Sequence, residues 1–299
     1  MAEMVKFLNI VLFSLLLFSC AEGVPEFNST RSFQFLTDQC ELGPRYPGSE
    51  ELQLCRDLII NELTKNGAEI QQQHFTEIVN GEEISNVNII ASFYPRMSRR
   101  ILLGAHYDTR PWADRDPDEN NHNAPIIGAN DAASGVAVLL EIANILADKQ
   151  PEQFGVDLVF FDLEDMGEYG KNESWCLGSA YFAGNFEGDL PEMAIVVDMI
   201  GDKDLQIDME YFSYHSSPEL VNEIWNVADD LNFDEFRPKI TNRIYDDHYP
   251  LIAAGFDAID IIDFDYPYWH TLEDTPDKCS PNSLYVVGQT LLTVIYQKQ

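Results

Sequence analysis

The sequence has few basic residues: 18 lysines and arginines stand against 51 aspartates and glutamates, and the formal net charge is -33. A protein that binds nucleic acid needs a basic surface, so this imbalance argues against nucleic acid as a partner. It also disfavours adsorption to anionic lipid, but it is compatible with a soluble extracytoplasmic enzyme or a cation-binding protein. The acidic residues are scattered along the chain, so we expect most of them on the solvated surface.

Long apolar segments are absent after the N-terminus, so no later part of the chain is expected to cross a membrane. The apolar run from Phe7 to Phe18 follows Lys6, is short for a bilayer span and is typical of a signal-peptide core. It leads into Ser19-Cys20, which resembles a bacterial lipoprotein cleavage site with Cys20 as the acylated residue. An ordinary secretory signal that is cleaved nearby is the alternative, and both predict export.

The N-terminal pattern predicts how the chain is divided. Residues 1–20 are expected to be a lipoprotein signal peptide, residues 21–28 a tether, and residues 29–299 a single catalytic domain. We expect the protein in the periplasm or at the outer membrane, attached to the membrane through the lipidated Cys20. We expect it to be a monomer.

Cysteine is also rare, with 5 residues in a chain of 299. If Cys20 is acylated, an even number remains, and an exported protein can form disulfides from them. None of the spacings resembles a zinc-thiolate site. Cys40 and Cys55 lie near the ends of two predicted helices that a short Gly- and Pro-containing segment joins, so this pair is the favoured disulfide.

The chain contains an alternation of strand-like and helix-like segments. Helices are predicted at 30–40, 49–66, 131–148, from 179 onwards, at 217–231, 246–254 and 280–297. Strands are predicted at 88–93, 101–105, 156–161, 195–197 and 258–262. This order predicts a three-layer α/β domain, in which helices flank a mostly parallel central sheet. Between them, the polar segment 108–130 is long enough to be either functional or disordered.

Acidic residues and histidines follow several of these strands. The apolar strand 156–161 ends in Asp162, Glu164 and Asp165, and adjacent carboxylates there can divide cation binding and proton transfer. The other polar groups are Ala105-His106-Tyr107-Asp108, Asp198-Met199, Trp269-His270-Thr271, and Asp131 at a helix start. Each alone is weak evidence, because such a histidine is usually a loop residue and such an aspartate a helix cap. Together, at the carboxyl edge of one sheet, they predict a zinc site with an open position.

The same residues form motifs that resemble a known family. Their order is similar to that of the zinc aminopeptidase-type α/β fold, and most similar to the bacterial glutaminyl-peptide cyclotransferases. The motifs are His106-Tyr107-Asp108, Asn130-Asp131-Ala132-Ala133-Ser134-Gly135, Phe160-Phe161-Asp162-x-Glu164-Asp165, Asp198-Met199-Ile200-Gly201 and His270-Thr271-x-x-Asp274.

Three features favour the cyclotransferases over the peptidases of this fold. Trp269 directly precedes His270, where the peptidases usually lack tryptophan. Asp246-Asp247-His248 replaces the Ser-Asp-His that is common in aminopeptidases, and residues 106–118 resemble the bacterial cyclase loop. The resemblance covers residues 33 to 297, nearly the whole predicted mature chain.

The resemblance implies a fold of the zinc-dependent exopeptidase type and the roles of individual residues. Asp131, Asp165 and His270 would bind one zinc ion per chain. Glu164 would be the proton shuttle, Asp198 and Asp246 would belong to a hydrogen-bonded network around it, and Trp269 would form a wall of the substrate pocket. Animal cyclases have a serine where this chain has Ala132, so that network must be connected differently here.

The implied reaction converts the N-terminal glutamine of peptides or proteins to pyroglutamate with release of ammonia. Two alternatives are open. The first is a zinc aminopeptidase with a two-metal site, because His106, Asp131, Asp165, Asp198 and His270 provide a complete ligand set for two ions. The second is an exported binding module that keeps the fold without catalysis, since fold alone does not establish an activity.

Overall fold

The computed structural model describes residues 23–79 and 81–297. The predicted signal peptide and Cys20 lie outside the described residues. The α-helices are α1 Ser29–Leu42, α2 Glu50–Lys65, α3 Ala133–Asp148, α4 Leu177–Gly184, α5 Tyr211–Ser216, α6 Pro218–Asp230, α7 His248–Ala253 and α8 Pro281–Gln297. The strands are β1 Glu69–Val79, β2 Glu82–Phe93, β3 Arg100–His106, β4 Gly155–Phe161, β5 Met193–Asp198, β6 Ile207–Met209, β7 Phe236–Ile240 and β8 Ala258–Ile262.

The main sheet has six strands in the order β1-β2-β4-β3-β5-β8. Strands β4, β3, β5 and β8 are parallel to one another, whereas the hairpin β1-β2 joins them in antiparallel orientation at one edge. Strands β6 and β7 form a separate parallel pair. The prediction of an α/β fold with a mostly parallel central sheet is therefore confirmed, and the antiparallel hairpin makes the sheet mixed.

Helices cover both faces of the sheet, which gives the predicted three layers. Side chains alternate along β3, so that Ile101 and Leu103 enter a large apolar cluster with α1, α3, α6 and α8. Leu102, between them, enters a smaller cluster on the opposite face, where Phe182 of α4 and Leu251 of α7 pack. Gly135 of α3 lets this helix approach β5 closely, because a Cβ at this position would lie 2.6 Å from the Val197 carbonyl oxygen.

Most predicted elements are present, and the differences have physical causes. Strand β1 was not predicted, because this edge strand buries few side chains and its sequence lacks a clear apolar alternation. Phe27, in the segment predicted as a tether, is buried against Gly288 of α8, and its backbone N–H donates to Gln289 Oε1 at 2.9 Å. Among the described helices, none combines the length and the apolar character that a membrane span requires.

The prediction of a Cys40–Cys55 disulfide is wrong. The four cysteines of the described chain are buried free thiols. The Cys55 thiol lies 3.9 Å from Gln39 Oε1, and burial raises the pKa of Cys55 to about 11 and that of Cys40 to about 12. These thiols act as small apolar side chains in the core.

Candidate active site

The carboxyl ends of the parallel strands meet at one edge of the sheet, and the predicted site residues lie there. Strand β3 ends at His106 and β5 ends at Asp198, while Glu164 and Asp165 follow β4 and Asp131 precedes α3. In an open α/β sheet the strand ends leave a crevice at this edge, where ligands bind. The alternating strands and helices therefore bring together residues that are far apart in sequence.

Asp131, Asp165 and His270 form one buried group with their ligand atoms within 4.8 Å of one another. His270 Nε2 lies 3.1 Å from Asp165 Oδ1 and 3.5 Å from Asp131 Oδ2. Asp165 Oδ2 is buried without a hydrogen-bond partner among the described residues. One imidazole nitrogen and two carboxylates, one of them with a free oxygen, are a donor set that suits zinc.

A second group shares Asp131 with the first. His106 Nε2 lies 3.1 Å from Asp131 Oδ1 and 3.1 Å from Asp198 Oδ1, and all three residues are buried. Each carboxylate oxygen of Asp131 thus faces a different histidine, Oδ1 facing His106 and Oδ2 facing His270. Burial alone would raise the pKa of Asp131, but the hydrogen bonds with His106 and His270 outweigh it and hold the pKa below its usual range.

Glu164 lies between these two groups and Asp246. Its Oε2 is 3.9 Å from His106 Nδ1, and its Oε1 accepts from the Cys176 thiol at 3.3 Å. Burial, together with the negative charges of Asp165 and Asp246, raises the pKa of Glu164 well above its usual range. The raised pKa makes Glu164 a better proton acceptor than an ordinary glutamate, as a proton shuttle requires.

Asp246 lies beside Glu164, as the resemblance implies, but Asp198 interacts with His106 rather than with Glu164 directly. Burial raises the pKa of Asp198 to about 7, and the Asp246 charge adds to this effect. Behind Asp246, the buried acid Asp260 has no hydrogen-bond partner for either oxygen among the described residues. The site is therefore surrounded by more buried carboxyls than the motifs indicate.

The site opens into a cavity of about 480 Å³. Its lining includes six of the seven predicted site residues, namely Asp131, Glu164, Asp198, Asp246, Trp269 and His270. Asp165 is not part of the lining, and its Oδ1 lies 3.1 Å from His270 Nε2. The Trp269 and His270 rings are 4.0 Å apart, and Tyr169, Trp175 and Phe264 add further aromatic wall.

Several residues that sequence reasoning did not assign to the site hold it in place. Asp108 accepts hydrogen bonds from the backbone N–H groups of Glu164 at 3.0 Å and Asp165 at 3.2 Å, which fixes the acidic pair. Asp274 accepts from the Asp131 N–H at 3.2 Å and from the Tyr266 hydroxyl at 2.8 Å. Both aspartates belong to the quoted motifs, so the motif spacing was the signal that could have identified them.

His270 is oriented through its other ring nitrogen. Its Nδ1 lies 3.0 Å from the Tyr169 hydroxyl and 3.5 Å from Asp114 Oδ1. This leaves Nε2 directed at Asp131 and Asp165. Hydrogen bonding of this kind fixes the ring and tautomer of a metal-binding histidine. Arg110 completes the support, since its guanidinium pairs with Asp114 and donates to the Asp165 carbonyl at 2.9 Å.

The long polar segment between β3 and α3 is a fixed wall of the site. The Arg115 N–H donates to the His270 carbonyl, and Asp116 Oδ2 accepts from the Leu272 N–H at 3.0 Å. At its far end, Arg45 Nη2 donates to the Gly128 carbonyl at 2.8 Å. The segment is therefore ordered, and it contacts the loop that carries His270.

Backbone conformation also aims the site residues. His270 has a left-handed φ of 55°, and Leu163 and Met199, which flank Glu164 and Asp198, have φ of 59° and 47°. Such conformations cost about 1–3 kcal/mol each outside glycine and collect at functional sites. The surrounding hydrogen bonds hold the strand ends in these turns.

Known proteins share this architecture. Residues 88–295 match the model of peptidase family M28. A solved structure of Bacteroides thetaiotaomicron glutaminyl cyclase bound to N-acetylhistamine is 37% identical with a TM-score of 0.90, covering 93% of this chain and 100% of that chain. A leucine aminopeptidase precursor from the same organism is also 37% identical with a TM-score of 0.90, covering 93% and 99%.

More distant proteins share part of this similarity. Aminopeptidase YwaD of Bacillus subtilis is 25% identical over 222 residues, which cover 66% of this chain. The match spans only 40% of that longer protein.

Proposed function

The chain belongs to peptidase family M28, and we propose that it is a glutaminyl-peptide cyclotransferase. Its substrates would be peptides or proteins that begin with glutamine. One observation carries this proposal: Glu164, a buried carboxyl with a raised pKa, shares a cavity with Trp269 and with the donor pair Asp131 and His270. The similarity to bacterial glutaminyl cyclases over more than nine-tenths of the chain supports it.

Asp131, Asp165 and His270 fit a zinc ion, because they offer two carboxylates and an imidazole nitrogen in one buried group. Among the described residues, Asp165 Oδ2 has no hydrogen-bond partner and is available to bind the ion. When bound, zinc supplies Lewis-acid polarisation of the substrate's side-chain amide carbonyl. The chain holds the donors for it rigidly, through Asp274 behind Asp131 and Tyr169 behind His270.

The proton transfers fall to Glu164. The α-amine attacks, in its neutral form, the carbon of its own side-chain amide, and Glu164 accepts the proton that the attacking nitrogen loses as the new C–N bond closes the five-membered ring. Glu164 then passes this proton to the amide nitrogen, which leaves as ammonia when the old C–N bond breaks. Burial raises the pKa of Glu164, so this carboxylate accepts the amine proton more readily than an ordinary glutamate does.

The aromatic wall serves to exclude water. Trp269 lies against His270 and, with Tyr169 and Trp175, surrounds the position where the glutamine side chain would bind. Water in that position would hydrolyse the amide and give glutamate instead of pyroglutamate. A flat apolar wall on the side chain also holds it folded toward its own amine, which favours ring closure.

A zinc aminopeptidase is the second candidate, and one observation favours it. His106 Nε2 lies within 3.1 Å of both Asp131 and Asp198, so a second donor set adjoins the first. Two ions there would activate a water molecule for peptide hydrolysis. We expect one zinc per chain, and elemental analysis of the purified protein distinguishes the candidates.

The decisive experiment supplies the zinc-loaded enzyme with one peptide that begins with glutamine and one that begins with leucine, and identifies products by mass spectrometry. The proposal expects loss of ammonia from the glutamine peptide and no cleavage of either. Release of free leucine or glutamine would instead support the aminopeptidase. Failure to change either peptide would support a binding protein that has lost catalysis.

We also propose that the enzyme is exported and anchored through lipid on Cys20. This rests on the apolar run before Cys20 and on the acidic composition.

A further inference from the structure

Two arginines at the cavity differ from most other arginines of the chain. Arg115 and Arg243 both line the cavity, and both side chains are exposed. With 51 acidic residues for 18 basic ones, an arginine at the surface has many possible carboxylate partners. Most find one, and the arginines paired with carboxylates are Arg31, Arg56, Arg99, Arg100, Arg110 and Arg237.

Aromatic rings, rather than carboxylates, hold these two side chains. The Arg115 guanidinium carbon lies 4.5 Å from the Tyr169 ring centroid and 5.1 Å from that of Trp269, and its Nε donates to the Tyr169 hydroxyl at 2.9 Å. The Arg243 guanidinium carbon lies 4.5 Å from the Tyr211 centroid and 5.2 Å from that of Phe212. Within residues 23–79 and 81–297, neither makes an ion pair with a carboxylate.

Contact with aromatic rings leaves N–H groups of a guanidinium free to donate to a carboxylate. An aromatic ring near the guanidinium carbon attracts its charge without accepting the N–H groups whose fork matches a carboxylate. Of these groups, only the Arg115 Nε–H is used within the described part of the chain, by the Tyr169 hydroxyl. Since the rings already restrict the side chain, less rotational freedom is lost when a ligand carboxylate binds. The two arginines are thus preorganised anion sites beside a strongly acidic interior.

We propose that Arg115 and Arg243 make the enzyme select peptides with an acidic side chain in one of the two positions after the N-terminal glutamine. This rests on the proposed function of the same cavity. The substrate α-amino group would lie among Glu164, Asp198 and Asp246, and a carboxylate further along the peptide would pair with the arginines. The overall charge of -33 would otherwise repel such peptides.

The test compares peptides that differ by one isosteric change. Asp or Asn is placed at the second or third position of glutamine peptides whose C-terminus is amidated, so that no other carboxylate is present. We expect the zinc-loaded enzyme to favour Asp over Asn by about threefold to tenfold in kcat/KM at low salt, mainly through KM. Raising the ionic strength to about 1 M should remove most of this preference, because exposed pairs are screened.

Variants assign the preference to the two side chains. In the double variant Arg115→Gln and Arg243→Gln, the Asp/Asn ratio should fall to about one or below. The matched control is Arg96→Gln, which removes one exposed arginine from the turn between β2 and β3, outside the cavity lining. Arg96→Gln should keep the full Asp/Asn ratio of kcat/KM, because the preference comes from the two arginines at the cavity and not from the net charge of the protein.

A binding measurement separates this proposal from the cyclase reaction. Calorimetric titration with the pyroglutamyl products of the Asp and Asn peptides needs no turnover and should show the same preference. Equal affinities for the two, or a preference that survives in the double variant, would overturn the role of the arginines. Loss of all turnover with the preference in binding intact would overturn only the proposed reaction.

Discussion

Individual carboxyls in this protein do different work because their surroundings differ. Glu164 and Asp198 are buried and have raised pKa values, whereas Asp131, between two histidines, has a lowered one. Asp108 accepts two backbone N–H groups and thereby fixes Glu164 and Asp165. The same functional group thus provides a proton carrier, a ligand and a support within one site.

Replacing Glu164 by Gln keeps the side-chain shape and removes the proton carrier. We expect a loss of cyclisation of at least about 100-fold, since general acid-base catalysis typically contributes that much or more. Zinc content, measured by elemental analysis, should stay at the wild-type value. Glu168→Gln is the control, because Glu168 is exposed and pairs with Lys171, and it should retain activity. Turnover by Glu164→Gln near the wild-type rate would remove Glu164 from the mechanism.

Asp263, outside the catalytic cavity, makes stability depend on pH. Burial raises its pKa to about 7, from an ordinary value of 3.8. The folded state therefore holds its proton up to higher pH than the unfolded state, and this contribution to stability is lost as pH rises from about 4 to about 7. Urea unfolding of Asp263→Asn should show a smaller decrease in stability from pH 5 to pH 8 than the wild type.

Asp257→Asn, at an exposed aspartate, is the control and should follow the wild-type pH dependence. If Asp263→Asn and the wild type lose the same free energy of unfolding over this range, Asp263 is ionised in the folded state throughout.

Residue type and position after a strand were enough to group residues such as Glu164, Asp198 and His270, whereas Asp246 and the role of each residue came from the family resemblance. The same information did not reveal Arg110, Asp114 or Tyr169 as supports, because each acts through a contact with a distant segment. It also did not show that Asp198 faces His106. Contacts of this kind depend on how the loops after β3, β4 and β8 fold against one another, which no local pattern encodes.

Among the elements, the buried strands of the main sheet were predictable, whereas the exposed strands and the three-residue strand β6 were not. The interior strands β3, β4 and β5 are apolar runs, because both of their faces are covered. The edge strand β1 and the strand β7 bury few side chains, and β6 is buried but only three residues long, so none of them shows a clear strand pattern in the sequence. The site lies on the predictable elements, which is why its location could be predicted although the sheet edge could not.

The irregular segment after β4 depends on a glycine. A Cβ at Gly167 would lie 1.9 Å from the Trp175 ring, so Gly167→Ala must displace Trp175 or the loop. Because Trp175 stacks on His270 with ring centroids 6.0 Å apart, we expect KM for glutamine peptides to rise severalfold and tryptophan fluorescence to change.

Gly184→Ala is the matched control, because nothing lies within 4 Å of a Cβ there. It should leave both KM and fluorescence unchanged. If Gly167→Ala has the same kinetics as the wild type, Trp175 is not part of the substrate site.

The molecule as a whole combines a strongly acidic surface with a predicted anchor at one end. We expect the full-length protein, produced in a bacterial host that processes lipoproteins, to fractionate with membranes. Cys20→Ser should move it to the soluble exported fraction, because the acyl acceptor is gone. Cys40→Ser, which changes a buried cysteine outside the signal segment, is the control and should remain with the membranes. A wild-type protein that is soluble after export would indicate an ordinary secretory signal instead.

The two ends of the described chain meet at one residue. Lys149 Nζ donates to the Gly23 carbonyl at 2.8 Å, and the Tyr296 hydroxyl donates to the Lys149 carbonyl at 2.5 Å. Lys149 follows the last turn of α3, whereas Asp131 precedes its first, and a 16-residue helix is about 24 Å long. A support or fusion partner attached directly at residue 23 or residue 297 would therefore hold the enzyme by the end opposite its cavity, with the opening directed toward solution.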